Sequence, residues 1–212
     1  HLDFKEFDKN RQQLIKECYA LDINYFIVPS VKQTRWQNLL ALSKQHKEIL
    51  PSFGLHPYFI EQHHKNDLSK LETLCQSDIN FLIGEAGLDF YRKDLERNKQ
   101  FMLFDAQLQL AKQYDRPIII HARKSHEQIL AMIKETGILG GVIHAFNGSF
   151  EQAKQDMKDN FKFGFGGTIS YSHSRKIREL AQTIPIEFIL LETDAPDMRP
   201  SFLEKGDINS PL

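Results

Sequence analysis

Four short apolar segments of the chain each lead into a side chain that can bind a metal ion. These side chains are Glu85, His121, His144 and Asp194. A buried strand of a parallel sheet presents polar residues at its carboxyl end, and several such ends meet at one edge. Imidazole and carboxylate groups gathered there are ligands for divalent cations. The pattern therefore favours a divalent-metal hydrolase.

The acidic residues differ in their expected roles. Glu85 follows an all-apolar run, at a predicted strand end before a turn at Gly87, and its two oxygens could bridge two cations. Asp194 is expected to be a ligand or a base, with Glu192 deeper and supporting a ligand. For Asp89, four residues after Glu85, a loop position and a supporting contact are both open.

Two further residues have the chemistry to contact a substrate. His56 follows the apolar residues around Leu55 and precedes Pro57, so it could contact the substrate or serve only the loop. Arg123 lies two residues after His121, and its planar guanidinium matches phosphate oxygens, although a solvated loop arginine is the alternative. A local basic rim is expected from the residues after the strands, namely Arg92, Lys93, Arg123, Lys124, Arg175 and Arg199.

These side chains require an alternating α/β framework. Seven apolar runs are predicted to be strands, separated mostly by helix-length segments, which indicates βα units around a parallel sheet. The predicted strands are 23–29, 50–55, 79–84, 117–121, 141–145, 161–168 and 187–193. Capping boxes predict helix starts at Thr34, Ser125 and Ser149. The segment 99–114 carries a core-facing stripe of apolar residues.

Composition limits the protein class. The chain has 212 residues, 41% hydrophobic residues and a net charge of -1, so no global field would draw it to nucleic acid. Residues 1–212 are interpreted as a single domain. Its two cysteines, Cys18 and Cys75, fit free thiols in a cytoplasmic protein. No apolar stretch approaches the roughly 20 residues of a membrane span, and a monomer is expected.

Seven strands are one short of the usual eight-stranded barrel. The chain starts at His1 and stops at Leu212, soon after the last predicted strand. We therefore expect a TIM-like (β/α) barrel whose first strand and C-terminal helix lie outside this chain.

The motifs, taken in order along nearly the whole chain, resemble the TatD family of metal-dependent deoxyribonucleases. The runs that carry the resemblance are Gly54-Leu55-His56-Pro57, Gly84-Glu85-Ala86-Gly87-Leu88-Asp89, His121-Ala122-Arg123, Val142-Ile143-His144-Ala145-Phe146 and Glu192-Thr193-Asp194-Ala195-Pro196. Each run alone is weak evidence, but the set and its order are specific. The family usually has Ile at the position of Ala86.

The resemblance implies two metal sites. In the family, a His-x-His pair from the first strand supplies two ligands, and His1 of His1-Leu2-Asp3-Phe4 matches the second histidine. One cation would use His1, Glu85 and Asp194, and the other would use Glu85, His121 and His144. The first site lacks the counterpart of the first histidine. The expected cofactors are two divalent ions, Mg, Mn or Zn.

The expected activity is that of a DNase resembling a 3'-5' exonuclease, which hydrolyses phosphodiester bonds at DNA ends by a metal-activated water. RNA as substrate and endonuclease action are left open. Glu85 and Asp194 would be catalytic, while His56 and Arg123 would bind the substrate through phosphate. Two alternatives are open. The same ligands could polarise a carbonyl in an amidohydrolase or lactonase reaction, or the chain could be a metal-binding protein without catalysis.

Overall fold

The computed structural model describes all 212 residues and contains all seven predicted strands. The strands are β1 (Phe26–Ser30), β2 (Ile49–Phe53), β3 (Leu82–Asp89), β4 (Ile118–Arg123), β5 (Gly141–Ile143), β6 (Phe161–Phe165) and β7 (Ile189–Leu191). They pair in parallel in chain order from β1 to β7. This curled sheet confirms the α/β, TIM-like barrel prediction.

Helices connect successive strands, as βα units require. They are α1 (Arg11–Ala20), α2 (Trp36–Gln45), α3 (Asp67–Cys75), α4 (Arg97–Gln113), α5 (His126–Thr136), α6 (Phe150–Lys158) and α7 (Arg175–Thr183). Helix α1 precedes β1, and one of the helices α2 to α7 follows each strand from β1 to β6. None of the helices combines the length and apolar character that crossing a membrane requires.

One of the three predicted capping boxes is confirmed. The Ser149 hydroxyl accepts from the Gln152 backbone N–H, and the Gln152 side chain accepts from the Ser149 N–H in return. The box at Thr34 is wrong, because a 3₁₀ turn precedes α2 there. The helix start at Ser125 is confirmed, because α5 begins at His126, but the box itself does not form. The buried Ser125 hydroxyl instead donates to the Leu88 carbonyl and ties the loop after β4 to β3.

Large apolar side chains fill the space between the sheet and the helices. Phe53, Phe161 and Phe163 from the strands are fully buried, as is Phe104 from α4. The predicted apolar face of α4 packs on this core. Both cysteines are buried and free.

Strand β3 differs from its predicted extent in a way that affects the site. It continues to Asp89, so Glu85 lies within the strand and the predicted strand end before Gly87 is wrong. From Ile83 to Ala86, β3 advances three residues while β4 advances two, which is a β-bulge. A bulge re-aims side chains next to functional sites, and here it includes Glu85.

Strand β7 is also shorter than predicted, because it ends at Leu191 rather than at residue 193. The strand stops at Leu191, so Glu192 and Asp194 do not share strand parity. Asp194 has a left-handed backbone with φ of 51°. Both carboxylates nevertheless point to the same histidine, because the turn after β7 replaces the expected strand alternation.

Candidate metal centre

Glu85 lies at the centre of a histidine cluster. Its side chain is buried, and its Oε1 atom is 3.3 Å from His56 Nε2 and 3.2 Å from His121 Nδ1. His144 Nε2 lies 3.8 Å from the same oxygen. The bulged strand β3 therefore places one carboxylate oxygen where three imidazoles from different parts of the chain converge.

Asp194 belongs to a second cluster of possible ligand atoms, together with His1 and Glu85. The Nε2 atom of His1 is 3.2 Å from Asp194 Oδ1, and His144 Nε2 is 3.9 Å from Asp194 Oδ2. Ligand atoms of His1, Glu85 and Asp194 all lie within 4.8 Å of one another, which is the spacing one cation needs. His1 Nδ1 donates to the Pro29 carbonyl at 2.7 Å, so its Nε2 lone pair faces the group.

The second group of close ligand atoms differs from the predicted set. Ligand atoms of His56, Glu85 and His121 lie within 4.8 Å of one another, whereas the resemblance pairs Glu85 and His121 with His144. Their hydrogen bonds distinguish the roles of His56 and His144. His56 Nδ1 accepts the Tyr58 backbone N–H at 3.0 Å, so a neutral His56 carries its hydrogen on Nε2 and donates it toward Glu85. This arrangement suits a donor to an anionic substrate better than a metal ligand.

The tautomer of His144 suits a ligand. Its Nδ1 atom donates to Glu192 Oε2 at 2.9 Å, and the other oxygen of Glu192 accepts the Ala145 backbone N–H at 2.9 Å. In the neutral ring, the form that binds a metal, this contact leaves the Nε2 lone pair of His144 directed at Glu85 and Asp194. A carboxylate behind a histidine in this way fixes the ring and raises its basicity.

Asp89 supports His121 in the same manner. The carboxylate is buried, and its Oδ2 atom is 3.2 Å from His121 Nε2. Its other oxygen accepts the backbone N–H groups of Tyr91 and Arg92. Of the two alternatives that the sequence left open for Asp89, the structure favours the supporting contact.

The site favours positive charge strongly. Burial alone would raise the pKa of Glu85, but the nearby His144 and His56 and the hydrogen bond from His121 hold it well below its ordinary value. Burial opposes a charged His144, yet Glu85, Glu192 and Asp194 raise its pKa to about 10. The pKa values of His1 and His121 are raised for the same reason, against the effect of burial. A centre that binds protons this firmly has the charge and the N/O donor set for divalent cations.

The pKa of His56 moves in the opposite direction. Burial lowers it more than the nearby Glu85 raises it, and repulsion from His121 contributes to the decrease. His56 is therefore the neutral member of the cluster, consistent with its Nε2–H tautomer.

The predicted basic rim is only partly free for a substrate. Arg123 stacks on Tyr91 and lies 4.0 Å from Asp89, with its side chain about half exposed. Arg92 pairs with Asp94 at 2.6 Å and Arg175 with Glu179 at 2.7 Å. Arg199 instead donates to the Leu203 carbonyl. The predicted loop positions are wrong for Arg123, which is the last residue of β4, and for Arg175, which is the first residue of α7. The sequence also says nothing of the partners of these cations.

The sequence does not reveal the carbonyl group that orients His1. It belongs to Pro29 in β1, and it is a backbone group that carries no residue signature. The contact between the Tyr58 N–H and His56 was missed for the same reason.

We expect Glu192→Gln to lower metal affinity by about 10- to 100-fold, because the amide weakens the orientation of His144 and lowers its basicity. Isothermal titration with Mn²⁺ measures the change. Glu187→Gln, an exposed change in the turn before β7, is the control. Unchanged affinity in Glu192→Gln would show that the contact with His144 does not tune the site.

We expect the metal-free protein to lose stability as the pH rises. His144 has a pKa of about 10 in the folded chain against an ordinary value of 6.5, so it binds its proton more tightly when folded. The resulting stability is fully present below the unfolded pKa and is lost as pH rises through the folded pKa. His1 and His121 act in the same direction. Thermal unfolding in EDTA from about pH 7 to about pH 9 measures the decline.

His144→Gln is the matched variant for this experiment, because it removes the titrating ring. Its unfolding temperature should fall less steeply over the same range. The upper limit keeps clear of Cys75, whose pKa burial raises to about 11. Parallel curves for the two proteins would contradict the raised pKa of His144.

Comparisons with known proteins identify the family of the chain. The sequence profile of the family described as TatD related DNase matches residues 1–212. The uncharacterized metal-dependent hydrolase YjjV of Escherichia coli K12 is 33% identical over 201 residues, which is 93% of this chain and 78% of that protein. The 3'-5' ssDNA/RNA exonuclease TatD of Erwinia amylovora is 30% identical over 209 residues, covering 94% of this chain and 81% of that protein.

Solved structures show the same fold. The crystal structure of YjjV, a TatD homolog from E. coli K12, superposes with a TM-score of 0.94 at 33% identity, covering 100% of this chain and 82% of that one. A TatD family hydrolase from Entamoeba histolytica has a TM-score of 0.76 at 23% identity, covering 92% of this chain and 70% of that one, and its likeness shows the fold. With the profile matching from end to end and relatives aligned over nearly its whole length, this chain belongs to the TatD-related DNase family of metal-dependent hydrolases.

Proposed function

We propose that the chain hydrolyses phosphodiester bonds at the ends of single-stranded DNA or RNA, releasing nucleotides from the 3' end. The observation that carries the proposal is the convergence of His1, His121, His144 and Asp194 on the buried Glu85. The Erwinia relative is named for this activity. The proposed direction of digestion, from the 3' end, rests only on the similarity to that relative.

The residues fit two divalent cations. His1, Glu85 and Asp194 would hold one, and Glu85, His121 and His144 would hold the other, with Mg, Mn or Zn as candidates. The fit rests on the close approach of ligand atoms, with His1 Nε2 3.2 Å from Asp194 and His121 Nδ1 and His144 Nε2 3.2 and 3.8 Å from the buried Glu85. The raised pKa values of the three histidines agree with it. When bound, such cations neutralise charge on the phosphate and lower the pKa of water toward neutrality.

The chain's own residues would then position the substrate and move protons. Asp194 has a carboxylate oxygen within the centre to accept a proton from the attacking water. The Nε2–H of neutral His56 can donate to a phosphate oxygen, and Arg123 adds a cation at the edge of the site. Phosphate contacts of this kind carry no base information, so little sequence preference is expected.

The decisive experiment is digestion of a 5'-labelled single-stranded DNA, with the matching RNA beside it, by Mg²⁺- or Mn²⁺-loaded protein. A ladder shortening from the 3' end is expected, and EDTA should stop it. No cleavage of either strand would overturn the proposal. Hydrolysis of cyclic amides or lactones in parallel assays, without nuclease activity, would instead support carbonyl chemistry at the same centre.

A further inference from the structure

Two exposed tyrosines each lie two positions after a residue of the metal centre. Tyr58 is two residues after His56, and Tyr91 is two residues after Asp89. Each tyrosine donates its backbone N–H to that earlier residue, at 3.0 Å to His56 Nδ1 and 3.1 Å to Asp89 Oδ1. These hydrogen bonds hold the two tyrosines in fixed positions at the mouth of the site, where β2 and β3 end.

Both rings are exposed despite being large and apolar. Tyr58 is 43% exposed and Tyr91 is 53% exposed. Neither belongs to the hydrophobic core nor packs against it. Core packing therefore does not account for aromatic residues at these two positions.

Cations lie over both rings and join them into one surface. The guanidinium carbon of Arg92 is 4.7 Å from the Tyr58 ring centre, and that of Arg123 is 3.9 Å from the Tyr91 ring centre. The ammonium nitrogen of Lys124 is 5.2 Å from the Tyr91 ring centre. Because Arg92 directly follows Tyr91 in the chain and reaches Tyr58, the groups form a continuous row.

The row is connected to the metal centre by short contacts. Arg123 Nη1 lies 4.0 Å from Asp89 Oδ2, which is itself 3.2 Å from His121 Nε2. A strand whose phosphate reaches the centre would place its neighbouring nucleotide next to these rings. Interleaved aromatic rings and cations are the combination that binds single-stranded nucleic acid, since bases stack on the rings while cations contact the backbone.

We propose that Tyr58, Arg92, Tyr91 and Arg123, here named the tyrosine shelf, stack the bases of the nucleotides next to the phosphate being cleaved. The proposal deepens and rests on the proposed nuclease function. The shelf would favour single strands over duplexes, because paired bases are stacked on their neighbours and cannot offer a free face. It recognises any base, since every base has a π-face.

Fluorescence anisotropy with a labelled, phosphorothioate-linked oligo(dT) tests the shelf without cleavage. Tyr91→Ala should raise the dissociation constant by on the order of 10-fold, while Tyr91→Phe should stay within about 2-fold, because stacking needs the ring and not the hydroxyl. Tyr25→Ala is the matched control, since Tyr25 is 80% exposed and lies just before β1, at the opposite end of the strands. It should bind like the wild type.

An oligonucleotide with abasic residues at its 3' end separates stacking from other effects. The wild type should bind it about as weakly as Tyr91→Ala binds the intact strand, and Tyr91→Ala should lose little further affinity on it. If Tyr91→Ala binds the intact strand like the wild type, or weakens the intact and abasic strands equally, the shelf is overturned.

Hydrolysis of bis(4-nitrophenyl) phosphate by the wild type distinguishes failure of the nuclease proposal from failure of the tyrosine shelf. This small diester reports the chemistry alone. Hydrolysis together with Tyr91-independent binding would reject the shelf and leave the nuclease proposal standing. Tyr91-dependent binding without hydrolysis of any diester would retain the shelf as a binding surface and reject the nuclease proposal.

Discussion

Replacing Glu85 with glutamine will lower the rate of diester hydrolysis on the order of 1,000-fold, because one carboxylate serves both predicted metal sites. The amide keeps the shape but removes the negative charge, and the loss of several kcal/mol of cation binding corresponds to a rate change of this size. Titration with Mn²⁺ should show weaker binding at both sites. The pKa of His144 should fall in the same variant, because Glu85 is a main cause of its increase.

Glu61→Gln provides the matched control for this prediction. Glu61 is an exposed glutamate that pairs with Lys99 at 3.0 Å, away from the histidine cluster. Its replacement should leave both rate and metal affinity within about 2-fold, as expected for an exposed ion pair. If Glu85→Gln retained near-normal hydrolysis and metal binding, the assignment of Glu85 as the shared ligand would be wrong.

Gly87→Ala should destabilise the protein by more than about 3 kcal/mol and displace His121. Gly87 has φ of 146°, and a Cβ atom there would overlap the His121 carbonyl oxygen and lie 2.9 Å from its carbonyl carbon, closer than van der Waals contact allows. Strands β3 and β4 pair at this point, with Gly87 opposite His121. The added methyl group must therefore separate the strands or move a predicted ligand. Thermal unfolding and Mn²⁺ titration measure the two effects.

Gly206→Ala separates the clash from backbone strain. Gly206 also has a positive φ, of 108°, but a Cβ atom there would have no neighbour within 4 Å. This variant should lose only the roughly 1 kcal/mol that strain costs and should bind Mn²⁺ normally. Equal losses in the two variants would mean that the contact between β3 and β4 at Gly87 is looser than the structure shows.

The fold could be predicted from the sequence because its central strands are buried on both faces, β3 along its whole length and β4 from Ile118 to Ile120. Runs such as Pro117–Ile120 are uniformly apolar, and uniform burial leaves a signal that does not depend on distant contacts. The ends of strands were harder to place. Strand β3 continues past Glu85 to Asp89 because β4 pairs with residues 86–89, including Asp89 opposite Arg123.

The candidate site could be predicted as a set of residues but not as an arrangement. Ligand types at strand ends were enough to single out Glu85, His121, His144 and Asp194, while His1 was added only by the family resemblance. Which histidine acts as a donor depends on the Tyr58 N–H that fixes His56 and on the Glu192 carboxylate that fixes His144. Such hydrogen bonds join residues whose spacing in the sequence does not reveal the contact.

The sequence by itself therefore determined the parallel α/β framework, the chemical types of the ligands and the edge of the sheet where they meet. Local apolar patterns and residue chemistry are properties of short segments, so they can be read without coordinates. Only the tertiary structure decided the bulge that includes Glu85, the tautomers of the histidines and the pairing of the rim arginines with Asp94 and Glu179. Those features arise where distant segments pack together, and their energies depend on distances that a linear pattern does not contain.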